Sequence, residues 1–258
     1  MTTPGRLTLL LALLLALLAV PAASYADVEQ LPRGTDVDYQ LGGASRVPRH
    51  VGIVVRDREA APATGRYNVC YVNGFQTQEG EWSFWKRHPR LLLRDADGDL
   101  VVDEAWHEVL LDLRTPGRRT ALARIVGRWV RGCAERGFDA VELDNLDSFT
   151  RSHGLLTRRQ AIAYARLLVR AAHDAGLAAG QKNLAGFDGR TVGYDFAVAE
   201  ECGRYDECSS YVRHFGRRVL VVEYRRQDFR ATCRHFGARL AVVLRDRGLT
   251  PSGVHRWC

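Results

Sequence analysis

The chain has 258 residues, a formal net charge of +7 and an apolar content of 46%. That apolar content is enough for a packed core and excludes an intrinsically disordered chain. The length suits one large domain, such as an α/β barrel of about 250 residues, or two small domains. Because acidic and basic residues are interspersed and no nucleic-acid motif is present, we interpret the positive charge as a solvated surface and predict no nucleic-acid partner.

Residues 1–26 have the pattern of an export signal. Arg6 precedes an apolar run over residues 9–20, and small residues follow where a signal peptidase would cleave. The run is shorter than the roughly 20 apolar residues that span a membrane, so we expect no stable membrane insertion. The sequence therefore predicts a signal peptide over residues 1–26 and a secreted mature domain over residues 27–258. An uncleaved anchor is the alternative.

After an irregular segment over residues 27–50, strand-like and helical patterns alternate. One helix runs from Ala121 to the glycine at position 137. The next begins at Thr157, which with Gln160 forms the pattern of a capping box. Eight strands are predicted, over residues 50–55, 68–72, 109–112, 140–144, 178–182, 195–200, 219–223 and 239–244.

Eight successive βα units predict an α/β fold of the (β/α)8 TIM-barrel class in a single domain. Residues 75–108 interrupt the alternation, and we predict a hairpin inside them with its turn at Gly98. A doubly wound open sheet is the alternative, because the connection between Lys182 and Glu200 has room for only a short helix.

Six cysteines in an exported chain favour disulfide bonds. No Cys-x-x-Cys motif is present, so the cysteines do not indicate zinc or redox chemistry. Six cysteines allow about 15 pairings. Proximity in sequence, and elimination for the last pair, favour Cys202–Cys208, Cys233–Cys258 and Cys70–Cys133.

Charged residues lie at the ends of most predicted strands. In parallel α/β folds this edge of the sheet carries the ligand site. The sequence has no serine in a nucleophile elbow, no phosphate-binding glycine loop after a strand, and no histidine cluster with metal-ligand spacing. Paired carboxylates instead suit glycoside cleavage, in which one acid protonates the leaving oxygen and the other attacks or activates water. The strand-end residues are Asp112, Asp144, Lys182, Glu200 and Glu223.

Four segments in combination resemble glycoside hydrolase family 114: GFDAVELDNLD, GLAAGQKN, FAVAEECGRYDEC and VVEY, all within residues 137–224. Members of that family are described as endo-α-1,4-polygalactosaminidases, which act on α-linked galactosamine-containing polysaccharide. The resemblance implies a barrel fold and identifies Asp144 and Glu200 as the catalytic pair. It also matches Cys202 and Cys208 to the family's C-x5-C cysteines.

We therefore predict a secreted glycosidase with Asp144 as nucleophile or base and Glu200 as general acid. Each residue has a simpler alternative: Asp144 as the cap of a turn, and Lys182 as a structural ion pair. Neighbouring strand residues point to opposite faces, so either Glu200 or Glu201 faces the barrel, and the family alignment favours Glu200. The predicted substrate-binding residues are Asp112, Asn145, Lys182, Asn183, Glu223 and Trp106.

We expect a monomer that binds a polysaccharide and needs no cofactor or metal. The rival hypothesis is a non-catalytic extracellular carbohydrate-binding barrel. It is motivated by the sequence Asn73-Gly74-Phe75-Gln76, which departs from the family pattern at the end of the second predicted strand.

Overall fold

The computed structural model describes residues 28–258. The predicted signal peptide lies outside the described residues. The strands and helices in chain order are β1 (Asp36–Gln40), β2 (Val51–Asp57), β3 (Tyr67–Asn73), α1 (Trp82–Trp85), β4 (Val102–Asp103), β5 (Glu108–Val109), α2 (Pro116–Glu135), β6 (Ala140–Asp144), α3 (Arg158–Asp174), β7 (Ala178–Lys182), β8 (Phe196–Glu200), α4 (Cys208–Phe215), β9 (Val219–Glu223), α5 (Arg226–Phe236), β10 (Ala241–Arg245) and β11 (His255–Trp257). Short 3-10 turns cover Pro89–Leu91, Ser148–Arg151 and Gly189–Val192.

Eight of the strands run parallel in the order β1-β2-β3-β6-β7-β8-β9-β10, and β11 adds antiparallel to β10. The first strand lies beside β10, and the indole Nε1 of Trp257 in β11 donates to the Val37 carbonyl of β1 at 2.7 Å. The sheet is therefore a nearly closed barrel. This confirms the predicted TIM-barrel class, and the open doubly wound sheet is excluded.

Helices α2 and α3 pack on the outside of the barrel and against each other. Thr157 caps α3 through the predicted box: its side chain accepts from the backbone of Gln160, whose own side chain accepts from the Thr157 backbone. Only the 3-10 turn Gly189–Val192 lies between β7 and β8, which agrees with the short connection expected there. None of the helices within residues 28–258 is both long enough and apolar enough to cross a membrane.

The first barrel strand was not predicted, because residues 36–40 were read as irregular. Its sequence, DVDYQ, carries polar residues at positions that the barrel buries. Asp38 is fully buried, accepts from Gln40 at 2.7 Å and lies 2.9 Å from Nδ1 of His255. His255 is 217 residues away in the chain, so local pattern could not indicate that this acid has a buried partner.

The prediction of a barrel strand over residues 109–112 was wrong. Glu108 and Val109 form the two-residue strand β5, which pairs antiparallel with β4. Leu110 and Leu111 make isolated antiparallel bridges to Gln76 and Leu92. The apolar run is buried because it packs, as part of a small lobe over residues 75–113, into the core between the barrel and its outer helices, not because it belongs to the sheet.

This lobe is inserted between β3 and α2, beside the carboxyl ends of the barrel strands. The predicted hairpin is present in it: Arg94 bridges Leu100, and Gly98 in the turn has φ +90°. Positive φ is the conformation that glycine adopts most readily, which explains its position in the turn. The lobe matters for function because it carries Trp106 and Glu108 to the cavity described below.

All three predicted disulfides are present, joining Cys70 to Cys133, Cys202 to Cys208 and Cys233 to Cys258. The first links β3 to α2, the second closes the loop after β8, and the third ties the C-terminus to α5.

Among residues 28–258 the sole group of three or more acidic, cysteine or histidine side chains close enough to share a metal ion is Cys202, Cys208 and Glu223. Its two sulfurs are bonded to each other, so they offer no thiolate ligand.

Candidate active site

A cavity of 590 Å³ opens where the parallel strands end. Strands β6, β7 and β8 contribute their last residues, Asp144, Lys182 and Glu200, and the lobe contributes Trp106 from the other side. Its full lining is Leu41, Gly42, Asp57, Tyr71, Gln78, Glu79, Asp103, Ala105, Trp106, Glu108, Asp144, Asn145, Asp147, Arg151, Lys182, Asn183, Glu200, Tyr224, Arg247, Gly248 and Leu249.

Lys182 is the centre of the polar network at the bottom of this cavity. Its Nζ lies 3.0 Å from Glu142 Oε1, 3.2 Å from Asp144 Oδ1 and 3.3 Å from Glu200 Oε2. Burial by itself would lower the pKa of Lys182, but the carboxylates of Asp144, Glu142 and Glu200 outweigh it and hold the pKa well above its ordinary value. The side chain therefore carries a positive charge between three acids.

Glu142 lies one layer deeper in the barrel than Asp144, on the same face of β6. Its side chain is fully buried, and the Tyr39 hydroxyl donates to its Oε1 at 2.6 Å. Burial raises the pKa of Glu142 to about 7, while the Lys182 charge opposes that rise and Asp144 adds to it. Since Glu142 is not among the cavity-lining residues, it supports Lys182 from below.

Two tyrosines fix the carboxylates that reach the cavity. The Tyr71 hydroxyl donates to Asp144 Oδ2 at 2.6 Å, and the Tyr224 hydroxyl donates to Glu200 Oε1. Burial raises the pKa of both tyrosines well above the ordinary value, so each hydroxyl keeps its proton and stays a donor. Asp144 and Glu200 are thus each held by one tyrosine and by Lys182.

Backbone geometry at the strand ends also orients these groups. Asn145, Asn183 and Glu201 directly follow β6, β7 and β8, and their φ angles are +66°, +52° and +52°. This left-handed region is uncommon for residues other than glycine, and it occurs often at functional sites. The Asn145 N–H donates to Asp144 Oδ1 at 2.7 Å, and the Asn183 side chain donates to Glu200 Oε2 at 3.3 Å.

Glu200 and Glu201 differ in where their side chains lie. Glu200 lines the cavity, whereas Glu201 is buried beside it and pairs with Arg204 at 2.8 Å and Arg247 at 3.1 Å. The positive φ of Glu201 ends the strand, so the alternation of faces stops there.

Four of the six predicted substrate-binding residues line the cavity: Trp106, Asn145, Lys182 and Asn183. The indole of Trp106 is 59% exposed, so its face is free to meet a ligand. Trp82 and Trp85, the other tryptophans of the lobe, do not line the cavity, and Trp85 is fully buried.

The prediction that Asp112 and Glu223 contact substrate needs correction, because neither lines the cavity. Asp112 lies at the end of the lobe rather than at the end of a barrel strand, and its carboxylate is bound by Arg114 at 2.7 Å and Arg118 at 2.9 Å. Glu223 does end a barrel strand, but it is fully buried and accepts from the Gly203 N–H at 2.7 Å. Burial raises its pKa to about 7. It holds the loop that follows β8.

Several cavity residues were not predicted. Tyr71 and Tyr224 lie on or directly after strands, where aromatic residues are typical of cores, so their sequence context gave no signal of a polar role. Arg151 pairs with Asp147 of its own loop at 3.0 Å and with Asp103 of the lobe at 2.7 Å, a partner distant in sequence. Glu108 was missed because the segment after it was read as a barrel strand.

The cavity differs from the rest of the molecule in charge. Its lining includes the carboxylates of Asp57, Glu79, Asp103, Glu108, Asp144, Asp147 and Glu200, against the cations Arg151, Lys182 and Arg247. The whole chain carries a formal charge of +7. Acids are thus concentrated in the cavity of a basic protein, which gives the cavity a local potential that attracts cations.

Comparisons with known proteins agree with this geometry. The family model of glycoside-hydrolase family GH114 matches residues 18–258. Ega3 of Aspergillus fumigatus, solved in complex with galactosamine, superposes with a TM-score of 0.74 at 21% identity, covering 91% of this chain and 100% of that one. The glycoside hydrolase domain of PelA from Pseudomonas aeruginosa superposes with a TM-score of 0.60 at 18% identity, covering 86% of this chain and 98% of that one.

No curated protein sequence matches the chain significantly. The two structural similarities, at identities of 21% and 18%, establish the fold. The family model covers nearly the whole sequence, including the strand ends that carry Asp144 and Glu200. The chain therefore belongs to the glycoside-hydrolase family GH114 and is a glycosidase.

Proposed function

We propose that this glycosidase cleaves α-linked galactosamine-containing polysaccharide, with Asp144 as the nucleophile and Glu200 as the general acid. The observation that carries the proposal is the pair of carboxylates held on one buried ammonium at the bottom of an acidic cavity. Their side chains are 14% and 25% exposed, so both reach the cavity while Lys182, at 3%, stays beneath them.

The proposed reaction has two steps. In the first, the Glu200 carboxyl gives its proton to the glycosidic oxygen while an Asp144 oxygen attacks the anomeric carbon. The bond to the leaving sugar breaks, and a glycosyl ester with Asp144 forms. In the second, Glu200 takes a proton from water, which attacks the same carbon and releases Asp144. The Tyr71 and Lys182 donors hold Asp144 in place for both steps.

The spacing of the two carboxylates favours this double displacement. The Asp144 and Glu200 oxygens that contact Lys182 Nζ lie 3.2 and 3.3 Å from it, so they are at most about 6.5 Å apart. Inverting glycosidases separate their carboxyl groups by roughly 6.5–9.5 Å to admit a water, whereas retaining enzymes use about 5–5.5 Å. The separation of these two oxygens therefore does not exceed the lower limit of the range for inverting enzymes.

We therefore expect hydrolysis to retain the anomeric configuration. Proton NMR of the reducing ends released in the first minutes should show the α-anomer before mutarotation equilibrates it. Initial release of the β-anomer would contradict both the double displacement and the role of Asp144 as nucleophile, and would assign Asp144 as the base for an attacking water.

The charge of the cavity supports an amino sugar as substrate. A galactosamine unit with a free amine is a cation, and the cavity lining has more carboxylates than basic groups. The structurally similar Ega3 was solved in complex with galactosamine. Trp106 offers an exposed aromatic face on which a sugar ring can stack, and Asn145 and Asn183 offer amides to its hydroxyls.

We also infer that the mature domain is exported after removal of residues 1–26. The three disulfides support this inference, because such bonds persist in oxidising compartments outside the cytosol.

Incubation of the purified mature domain with α-1,4-linked galactosamine polymer tests the proposal. Partly and fully N-acetylated forms of the polymer, and a neutral galactan, provide the comparison. Mass spectrometry should detect oligosaccharides from the galactosamine-containing polymers and none from the galactan. Binding without any released oligosaccharide would favour the non-catalytic carbohydrate-binding barrel instead.

A further inference from the structure

We infer that Glu108 recognises the C2 ammonium of the galactosaminyl unit bound at Asp144. This makes Glu108 a specificity-determining residue for free-amine sugars. The inference rests on the proposed function and goes beyond it, because Glu108 lies on the lobe and outside the strand ends that carry the proposed catalytic pair.

Glu108 and the reacting carboxylate of Asp144 are linked through one residue, Asn145, which hydrogen-bonds to both. Asn145 donates its backbone N–H to Asp144 Oδ1 at 2.7 Å and its side-chain Nδ2 to Glu108 Oε2 at 3.4 Å. In the proposed reaction Asp144 attacks C1 of the sugar, and the amine of galactosamine is on C2, one bond away. A carboxyl adjacent to Asp144 is therefore placed to meet that amine.

One oxygen of Glu108 is fixed by the protein. Asn73 Nδ2 donates to Oε2 at 2.9 Å, and the Asn73 Oδ1 in turn accepts from Asn145 Nδ2 at 3.1 Å. Within residues 28–258, Oε1 of Glu108 has no hydrogen bond and neither oxygen is in an ion pair, although the residue lines the cavity. By contrast, Asp144 and Glu200 share Lys182, and Asp103 and Asp147 share Arg151.

The surroundings of Glu108 favour a cation at this position. Burial raises its pKa to about 8; the hydrogen bond from Asn73 opposes that rise, and the charges of Asp144 and Asp103 add to it. Burial disfavours any isolated charge at this position, but the neighbouring carboxylates of Asp144 and Asp103 favour a cation there. A ligand ammonium against Glu108 would stabilise its ionised form, and a neutral hydroxyl or acetamide at C2 would not do so to the same extent.

The test compares binding of α-1,4-linked galactosamine oligosaccharides with that of the matching galactose oligosaccharides, which carry a hydroxyl at C2. Both are titrated calorimetrically into the Glu200→Gln protein, to prevent turnover, and into the same protein with Glu108→Gln. Loss of a charge-assisted hydrogen bond should weaken galactosamine binding about tenfold or more. Galactose binding should change less than about twofold, since the amide oxygen of the substituted side chain can still accept from Asn73.

Glu104→Gln is the matched control, because Glu104 lies on the same lobe, is exposed and is not part of the cavity lining. It should leave both affinities unchanged. If Glu108→Gln does not fold, Glu108→Ala serves in its place. Equal losses for the two sugars, or no loss for either, would overturn the role of Glu108 while the proposed function stands. Failure of the parent protein to bind galactosamine oligosaccharides would overturn both.

Discussion

Replacing Asp144 with asparagine, or Glu200 with glutamine, should abolish measurable hydrolysis of the galactosamine polymer and leave the fold intact. We expect kcat to fall by roughly 10⁴-fold or more for Asp144→Asn, the order of loss seen when a catalytic nucleophile is removed. For Glu200→Gln we expect about 10²–10⁴-fold, the usual contribution of a general acid. Reducing-end release measured under substrate saturation would give both values.

The controls for this experiment are the same amide substitutions at exposed acids away from the cavity. The control variants are Asp174→Asn, at the end of α3, and Glu104→Gln, on the lobe. Both should retain wild-type turnover, and all four variants should unfold at similar temperatures. Substantial turnover by Asp144→Asn would refute the proposed nucleophile even if the substrate is correct.

Replacing Lys182 with methionine should destabilise the protein by about 3–5 kcal/mol, because it removes one partner of a buried charge network. Lys182 is 3% exposed and Glu142 is 0% exposed, so the carboxylate of Glu142 would lose its compensating cation in a place that water does not reach. Asp144 and Glu200 would also lose the group that they share, so turnover should fall as well. Equilibrium denaturation with the disulfides intact measures the first effect.

The loss of stability should depend on pH. Burial already raises the pKa of Glu142 to about 7 with Lys182 present, and Lys182 opposes that rise. Without Lys182 the folded protein should hold a proton on Glu142 to still higher pH. The folded state of the variant then binds more protons than the unfolded state, so its stability should fall as pH rises. The stability difference from wild type should therefore be smaller at pH 5 than at pH 8.

The other lysine of the chain, Lys86, offers a matched control because it is exposed on the lobe. Lys86→Met should change the free energy of unfolding by less than about 0.5 kcal/mol. Adding Glu142→Gln to Lys182→Met should recover part of the lost stability. If Lys182→Met alone is as stable as wild type at pH 8, the three carboxylates do not depend on that cation.

Most of the barrel could be predicted because its strands and helices carry local signals. The strands β8 to β10 are short, mainly apolar runs, β6 and β7 begin with apolar residues, and each of the five is preceded by a helix or a turn with a recognisable end. Asp144 was found because an acid at the end of an apolar strand breaks the local pattern. The choice of Glu200 needed the family resemblance, because Glu201 beside it has the same side chain. In the structure, Glu201 differs from Glu200 in its left-handed φ and in its pairing with two arginines.

Two of the missed features, the first strand and Glu108, depend on polar partners that are distant in sequence. The first strand contains the buried Asp38, whose partner His255 is in the last strand. Asp112 was assigned to the site because a carboxylate after an apolar run resembles a strand end, but Arg114 and Arg118 neutralise it outside the cavity. Glu108 had no local signal, because β5 has only two residues and its hydrogen bonds come from the ends of β3 and β6.

The sequence by itself determined most of the succession of strands and helices, the family and, through the family, the two strand-end acids, because apolar periodicity, capping residues and short motifs are local. Tertiary structure alone decided which carboxylates share a cation, which are buried as supports and which face the cavity. These properties depend on distances between strands far apart in the chain, and such distances exist only once the barrel closes.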